Sequence, residues 1–131
     1  MTELFIIRHG QTEWNVQHRY QGQCNSPLTE EGRTQALVKS KALAQLSPDV
    51  LFASDAERAM VTGRLLFPGR EPIGNPLLRE IALGDLEGVV IEEAKPLYPD
   101  STFFFDRPAA FVPPGHGVPV PACMPLARPL P

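Results

Sequence analysis

The sequence predicts an α/β fold, a three-layer sandwich in which helices cover both faces of a mostly parallel sheet. The apolar run at residues 4–7 stops abruptly at Arg8, as strands buried on both faces of a parallel sheet do. Later segments alternate between strand and helix patterns, which is typical of parallel α/β sheets. Because such sheets bind ligands beyond the carboxyl ends of their strands, we expect chemistry at Arg8 and His9.

Composition indicates one soluble globular domain. The chain has 131 residues, of which 43% are hydrophobic and 21% are charged. The formal net charge of -3 argues against a nucleic-acid or anionic-membrane partner. We expect neither a signal peptide nor a membrane span. Cys24 and Cys123 lie far apart without metal-ligand spacing, so we expect a reduced, cytoplasmic protein with no metal or other cofactor.

The first predicted strand leads into a polar loop over residues 11–26. Connections of that length are uncommon in compact domains and are often functional. A plain surface excursion is the alternative interpretation.

Two strand and helix units follow along the chain. Thr29 is the expected N-cap of a helix that continues to Pro48, and the two glutamates after it suit the positive end of the helix dipole. A second buried strand is predicted over residues 50–53. Residues 54–57 match a capping box, which predicts a second helix that ends before Pro68.

Arg58 falls in the first turn of that second helix, where the helix dipole disfavours a cation. One interpretation is a solvated surface arginine. The other is that Arg58 and the free amides of the helix start hold an anion together. The loops after Ile7 and Ala53 follow parallel strands and can open onto the same sheet edge, which favours the second interpretation.

The remaining elements carry weaker patterns. Residues 71–76 predict at most a weak third strand, and residues 91–97 a short helix interrupted at Pro96. The three phenylalanines at residues 103–105 are expected to pack against the rest of the fold.

A set of short motifs makes the chain resemble the histidine phosphatase superfamily, also called phosphoglycerate mutase-like proteins. The blocks occur in the family's order and spacing over roughly residues 1–114. They are Arg8-His9-Gly10 with Thr12 and Asn15, Gln21-Gly22, Ser26-Pro27-Leu28-Thr29, Gly32, Gln35-Ala36, Ser54-Asp55, Arg58-Ala59, Thr62, Leu78-Arg79-Glu80, Gly84 and Glu87-Gly88.

The resemblance implies roles for individual residues. His9 would be the nucleophile that forms a phosphohistidine, with a hydrogen bond at its other ring nitrogen fixing the tautomer. Glu80 would exchange protons with the leaving alcohol and the attacking water, since a neighbouring phosphate dianion favours the protonated carboxyl. The substrate phosphate would be bound by the other matching positions, which are Arg8, Thr12, Asn15, Gln21, Gly22 and Arg58.

The end of the sequence departs from the family. Members carry a second histidine after a later buried strand, whereas His116 follows Pro113-Pro114 and is not assigned that role. We therefore divide the chain into an incomplete family domain over residues 1–114 and a proline-rich tail over residues 115–131. The change favours a truncated or frame-shifted product whose sheet lacks its C-terminal strands.

These observations favour a phosphomonoester hydrolase that acts on a small phosphorylated metabolite through phosphohistidine. The alternatives are phosphoryl transfer of the phosphoglycerate mutase type and an inactive remnant that binds phosphate but lacks the second catalytic histidine.

Overall fold

A computed structural model describes residues 1–115 and residue 117. The regular elements of this part are the helices α1 (Glu13–Val16), α2 (Glu30–Ala42), α3 (Glu57–Leu66), α4 (Ile91–Leu97) and α5 (Phe103–Asp106), and the strands β1 (Phe52–Ser54) and β2 (Ile73–Asn75). Short 3-10 turns lie at Pro76–Leu78, Gly84–Leu86, Pro99–Thr102 and Pro108–Ala110. None of the helices in these residues has the length and apolar character needed to cross a membrane.

The two strands pair in parallel, with Phe52 opposite Ile73 and Ser54 opposite Asn75. Helix α3 connects them and packs against both β1 and α2. This arrangement confirms the α/β class and the parallel sheet. Strand β1 begins two residues later than predicted, and β2 lies inside the segment predicted as a weak strand.

The strand predicted at residues 4–7 is wrong for the part of the chain described. Those residues join no strand ladder, and Leu4 and Ile6 are 81% and 87% exposed. An apolar run becomes a strand only where a neighbour satisfies its backbone groups. In the described residues the sheet consists of β1 and β2 alone. The apolar run therefore predicted one strand too many.

Helix α2 begins as predicted but ends early. The hydroxyl of Thr29 accepts the N–H of Gly32 at 3.0 Å, which confirms the N-cap. The helix ends at Ala42 instead of reaching Pro48. Beyond it, Leu46 donates to the carbonyl of Leu43 at 2.8 Å, the tighter hydrogen-bond spacing at which helices often end.

Helix α3 begins without the predicted capping box. Ser54 is the last residue of β1 and not the N-cap of the helix. Its hydroxyl accepts the N–H of Ala56 at 3.2 Å within the turn. Ala56 is the N-cap and supplies no side-chain hydrogen bond. The helix ends at Leu66, before Pro68, as predicted.

The predicted loop over residues 11–26 contains one helical turn, α1. The hydroxyl of Thr12 accepts the N–H of Asn15 at 3.2 Å, and the side-chain carbonyl of Asn15 accepts the N–H of Thr12 at 2.9 Å. This reciprocal cap stabilises a helix of only four residues. Farther along the loop, Arg19 forms an antiparallel bridge with Val90.

The main hydrophobic core is formed mostly by residues from the second half of the described chain. It contains the buried residues Tyr20, Leu83, Leu86, Ala94 and Phe111. Phe103 and Phe104 pack against this core as predicted, and Phe104 lies 5.5 Å from Phe111 between ring centroids. Phe105 stacks on Tyr20 but remains 56% exposed. Tyr20 donates its hydroxyl to the carbonyl of Ser101 at 3.1 Å. The core and this hydrogen bond fix Tyr20, which directly precedes Gln21 in the chain.

Candidate active site

His9 lies in the loop that follows residues 4–7, and its side chain is half-buried. Its Nδ1 atom lies 2.7 Å from the carbonyl oxygen of Gly10. A carbonyl only accepts, so Nδ1 carries the proton in the neutral ring and Nε2 keeps its lone pair. The hydrogen bond expected at the other ring nitrogen is therefore present.

The surroundings of His9 lower the pKa of its imidazole below 6.5. Burial is the largest cause, and the positive charges of Arg58 and Arg8 act in the same direction. The Gly10 carbonyl and Glu80 favour the charged ring but do not outweigh these effects. This shift favours the neutral form of the ring, the form that a nucleophilic histidine needs.

The backbone around His9 is fixed from two sides. The N–H of Gly10 donates to the hydroxyl of Thr62 in α3 at 3.1 Å. On the other side, a Cβ atom at Gly10 would clash with the carbonyl oxygen of Gly32 in α2. Glycine is thus required here by the close approach of the α2 backbone.

Arg58 is 5% exposed, so it is not the solvated surface residue that its helix position left open. Its guanidinium donates to the carbonyl oxygens of Gly22 and Cys24, each at 2.8 Å. Burial lowers the pKa of Arg58, but guanidinium remains charged in proteins. Since its bonds go to neutral carbonyls, its charge remains available to an anion beside His9.

Glu80 is exposed and borders the same cavity as His9. Its carboxylate accepts the N–H of Ile81 at 2.9 Å. The neighbouring Arg79 does not pair with it, because Arg79 forms a two-point ion pair with Asp55 at 2.6 and 2.7 Å. The Glu80 carboxyl is therefore accessible for proton transfer.

Gln21, Thr12 and Asn15 form one hydrogen-bonded group. The Thr12 hydroxyl lies 2.9 Å from the side-chain carbonyl of Gln21 and 3.0 Å from that of Asn15, and it donates its single proton to one of them at a time. Thr12 is fully buried. Gln21 borders the cavity, whereas Thr12 and Asn15 lie outside its wall.

Glu87 received no role from sequence, although it lies in a matching family block. Its carboxylate accepts the N–H groups of Gln23 and Leu83, each at 2.9 Å, and the Cys24 thiol at 3.0 Å. That hydrogen bond raises the pKa of the Cys24 thiol. Glu87 thus fixes the loop whose Gly22 and Cys24 carbonyl oxygens accept hydrogen bonds from Arg58.

Thr62 also received no role from sequence, since only its place in a family block distinguished it. In the structure its hydroxyl accepts the N–H of Gly10. No local pattern relates it to residue 10.

The site residues surround a cavity of about 150 Å³. It is lined by the polar or charged residues Arg8, His9, Arg19, Gln21, Gly22, Arg58 and Glu80 and by the apolar or aromatic residues Tyr20, Leu83, Ile91, Phe104 and Phe105. A second cavity of about 340 Å³ shares Gly22, Arg58 and Glu80 with it. The fold thus brings together the predicted nucleophile, the predicted proton donor and four of the predicted phosphate ligands. His116, Cys123 and most of the predicted tail lie outside the described residues.

Comparisons with known proteins agree with this geometry. The family model of the histidine phosphatase superfamily (branch 1) matches residues 4–122. The protein named "Probable phosphoglycerate mutase GpmB" from Serratia proteamaculans is 36% identical over 98 residues, which cover 73% of this chain and 46% of that protein.

Solved structures give the same result. The structure of Bacillus stearothermophilus YhfR matches with a TM-score of 0.83 and 35% identity, covering 91% of this chain and 60% of that one. A mycobacterial glucosyl-3-phosphoglycerate phosphatase, solved as a complex with VO3, matches with a TM-score of 0.73 and 34% identity, covering 80% of this chain and 53% of that one.

The chain spans about half the length of the curated relatives it matches. The family model nevertheless covers most of this sequence. The two strands pair in parallel, as predicted. The chain therefore belongs to the histidine phosphatase superfamily, branch 1.

Proposed function

We propose that this chain carries the catalytic half-site of a phosphomonoester hydrolase that works through a phosphohistidine on His9. The observation that carries the proposal is the hydrogen bond from Nδ1 of His9 to the Gly10 carbonyl at 2.7 Å. It leaves the Nε2 lone pair as the nucleophile in a cavity that also contains Arg8, Arg58 and Glu80.

In the first step, the Nε2 lone pair attacks the phosphorus atom of the ester. A P–N bond forms while the P–O bond to the alcohol breaks, and that electron pair moves to the ester oxygen. Glu80 supplies the proton that makes the leaving group a neutral alcohol. Nδ1 of His9 keeps its proton throughout, because it donates a hydrogen bond to the Gly10 carbonyl.

In the second step, water attacks the phosphorus atom of the phosphohistidine. The Glu80 carboxylate takes one proton from the water as the P–O bond forms. The P–N bond breaks and its electron pair returns to Nε2. Inorganic phosphate leaves, and both His9 and Glu80 return to their starting states.

The charge of the phosphoryl group is met mainly by arginine. We assign Arg58 and Arg8 to its equatorial oxygens, with the Gln21 amide and the Gly22 backbone beside them. We place Asn15, which lies outside the cavity wall, in the hydrogen-bonded group that positions the Gln21 amide. Because Thr12 is fully buried, we give it the role of positioning the Gln21 and Asn15 amides.

Phosphoryl transfer of the mutase type uses the same residues and is the second candidate. It is favoured by the similarity to a protein named a probable phosphoglycerate mutase, whereas hydrolysis is favoured by the match to a glucosyl-3-phosphoglycerate phosphatase. Small phosphorylated metabolites are the shared class of substrate that these names indicate.

A phosphate-binding remnant is the third candidate. Within the described residues the histidines are His9 and the exposed His18, and His18 is absent from the cavity wall.

Trapping of the phosphoenzyme tests the proposal. The chain is incubated with a 32P-labelled aryl phosphate and quenched, and we expect a protein label that is stable to base and labile to acid. His9→Gln should abolish the label, while His18→Gln serves as the matched control and should keep it. Release of free phosphate distinguishes hydrolysis from transfer. Stabilisation by vanadate without any label would instead support the remnant.

A further inference from the structure

Glu80 lies at the end of an exposed segment, although proton transfer requires a carboxyl at a fixed place. Residues 76–80 are all exposed, and the regular structure before Glu80 is the short 3-10 turn Pro76–Leu78. Burial therefore contributes little to the position of Glu80 on this side. Because a misplacement of about 1 Å can cost about 10²-fold in rate, we searched the polar contacts of this segment for what fixes it.

Arg79 binds the segment to the turn before α3. Its Nε and Nη2 atoms donate to the two carboxylate oxygens of Asp55 at 2.7 and 2.6 Å. Two parallel hydrogen bonds fix the orientation of a guanidinium as well as its distance. Asp55 directly follows β1 and lies three residues before Arg58. The residue before Glu80 is therefore bound to the turn that leads to the proposed phosphate ligand.

Gln23 binds Glu80 itself. The side-chain Nε2 atom of Gln23 donates to the backbone carbonyl oxygen of Glu80 at 3.1 Å. On either side of Gln23, the carbonyl oxygens of Gly22 and Cys24 accept the two hydrogen bonds from the Arg58 guanidinium. One loop of three residues thus contacts both the proposed proton donor and the proposed phosphate ligand.

The two contacts place Glu80 relative to the same residue, Arg58. We propose that Asp55, Arg79 and Gln23 are positioning residues that hold Glu80 at a fixed place relative to Arg58. All of these residues border the larger cavity of about 340 Å³. The positioning residues act through Glu80 and do not touch the reacting atoms. This inference rests on the proposed function for the role of Glu80 as the proton donor.

The competing explanation is that Arg79 binds the substrate phosphate itself, since a guanidinium suits that group. The two explanations predict different results for Asp55→Asn, which weakens the ion pair and leaves the charge of Arg79 in place. If Arg79 were a phosphate ligand, this change would keep or raise the affinity for phosphate and would spare catalysis. If Arg79 positions Glu80, the change slows the step that needs the proton.

Single-turnover labelling of His9 with an alkyl phosphate and with p-nitrophenyl phosphate tests the positioning role, because only the alkyl ester needs a proton as it leaves. We expect Arg79→Ala and Asp55→Asn to slow labelling by the alkyl phosphate about tenfold or more, and labelling by p-nitrophenyl phosphate less than about twofold. Gln23→Met, which keeps the side-chain length and loses the donor, should show the same pattern. The affinity of these variants for inorganic phosphate should stay at the wild-type value.

Arg64→Ala is the matched control. Arg64 forms a similar two-point ion pair with Glu71 at 2.6 and 2.8 Å, and its side chain is 48% exposed against 47% for Arg79. Neither Arg64 nor Glu71 borders the two cavities described above. Because exposed ion pairs contribute little to stability, Arg64→Ala and Arg79→Ala should both unfold near the wild-type urea concentration. Arg64→Ala should also keep both labelling rates.

An NMR pH series gives a readout that needs no turnover. The N–H of Ile81 donates to the Glu80 carboxylate at 2.9 Å, so its amide signal shifts when that carboxylate takes up a proton. Arg79→Ala and Asp55→Asn should lose most of this response, and Arg64→Ala should keep it.

Three results would overturn the inference: equal slowing of both esters in Arg79→Ala, a wild-type alkyl rate in Asp55→Asn, or an unchanged Ile81 response in both variants. A lower affinity for inorganic phosphate in Arg79→Ala alone would make Arg79 a phosphate ligand instead. If His9 takes no label in the wild-type chain while the Ile81 response is lost as expected, the proposed function fails and the positioning of Glu80 stands.

Discussion

The backbone N–H of Gly10 donates to the hydroxyl of Thr62 at 3.1 Å, across 52 residues of sequence. The same hydroxyl donates to the carbonyl of Arg58 at 2.7 Å. One buried side chain therefore connects the loop of the proposed nucleophile to the helical turn that contains Arg58, the proposed phosphate ligand. We expect the spacing between His9 and Arg58 to depend on these two hydrogen bonds.

Replacing Thr62 with valine should destabilise the protein and weaken phosphate binding. Valine has nearly the same shape but cannot accept the Gly10 N–H, and an unsatisfied buried donor costs about 1–3 kcal/mol. Urea unfolding measures the loss of stability, and titration with inorganic phosphate measures the loss of affinity.

Thr62→Ser is the control for that substitution. It keeps the hydroxyl and loses only a methyl group, so it should retain most of the phosphate affinity. Equal losses of phosphate affinity in the valine and serine variants would show that packing, and not the hydrogen bond, fixes the loop.

Local patterns in the sequence predicted the elements better than their ends. Thr29 caps α2 as expected, because an N-cap depends on neighbours only three residues away. The apolar run at residues 4–7 misled, because a strand depends on a distant partner and not on its own composition. The link between Gly10 and Thr62 is of the same long-range kind.

His9 should titrate below 6.5, because burial and the charges of Arg58 and Arg8 lower the pKa of its imidazole. A pH series of NMR spectra follows the ring protons, and His9→Gln identifies the signal by its loss. A midpoint at or above 6.5 for that signal would contradict the proposed environment.

The same shift affects stability. Because the folded form binds a proton on His9 less readily than the unfolded chain, stability contributed by the neutral ring is present above pH 6.5. It is lost as the pH falls through the lower midpoint of the folded state. His9→Gln should therefore lose less stability than wild type over this acidic range in urea unfolding.

Glu80→Gln should slow phosphohistidine formation according to the leaving group. A proton donor contributes a factor of about 10²–10⁴ where the alcohol needs a proton. An alkyl phosphate should therefore lose far more than p-nitrophenyl phosphate, whose phenolate leaves without help. Single-turnover labelling of His9 gives both rates. The same fractional loss for both substrates would remove Glu80 from the role of acid.

The residues of the candidate site could be predicted where the chemistry requires a particular residue type. They could not be predicted where only their position in the fold gives them a role. His9, Arg58 and Glu80 follow from the family motifs, and the fold brings them to one cavity. Thr62 carried no such signal, because its role depends on a hydrogen bond to a residue 52 positions away.

Glu87→Gln should loosen the loop whose carbonyl oxygens accept hydrogen bonds from Arg58. Burial alone would raise the pKa of Glu87, but hydrogen bonds from Cys24, Gln23 and Leu83 and the charge of Arg58 outweigh it and lower that pKa below 4.5. Stability that depends on the charged carboxylate is present above pH 4.5 and is lost as the pH falls through the folded-state pKa.

At pH 7 the glutamine variant should be less stable by about 1–3 kcal/mol, because the charge-assisted acceptor of three donors is gone. Below pH 4.5 the difference between wild type and variant should shrink, since wild-type Glu87 then becomes protonated and resembles the neutral amide. Urea unfolding of both proteins at a series of pH values measures this difference. A gap that stays constant from pH 7 to pH 3 would mean that the charge of Glu87 does not hold the loop.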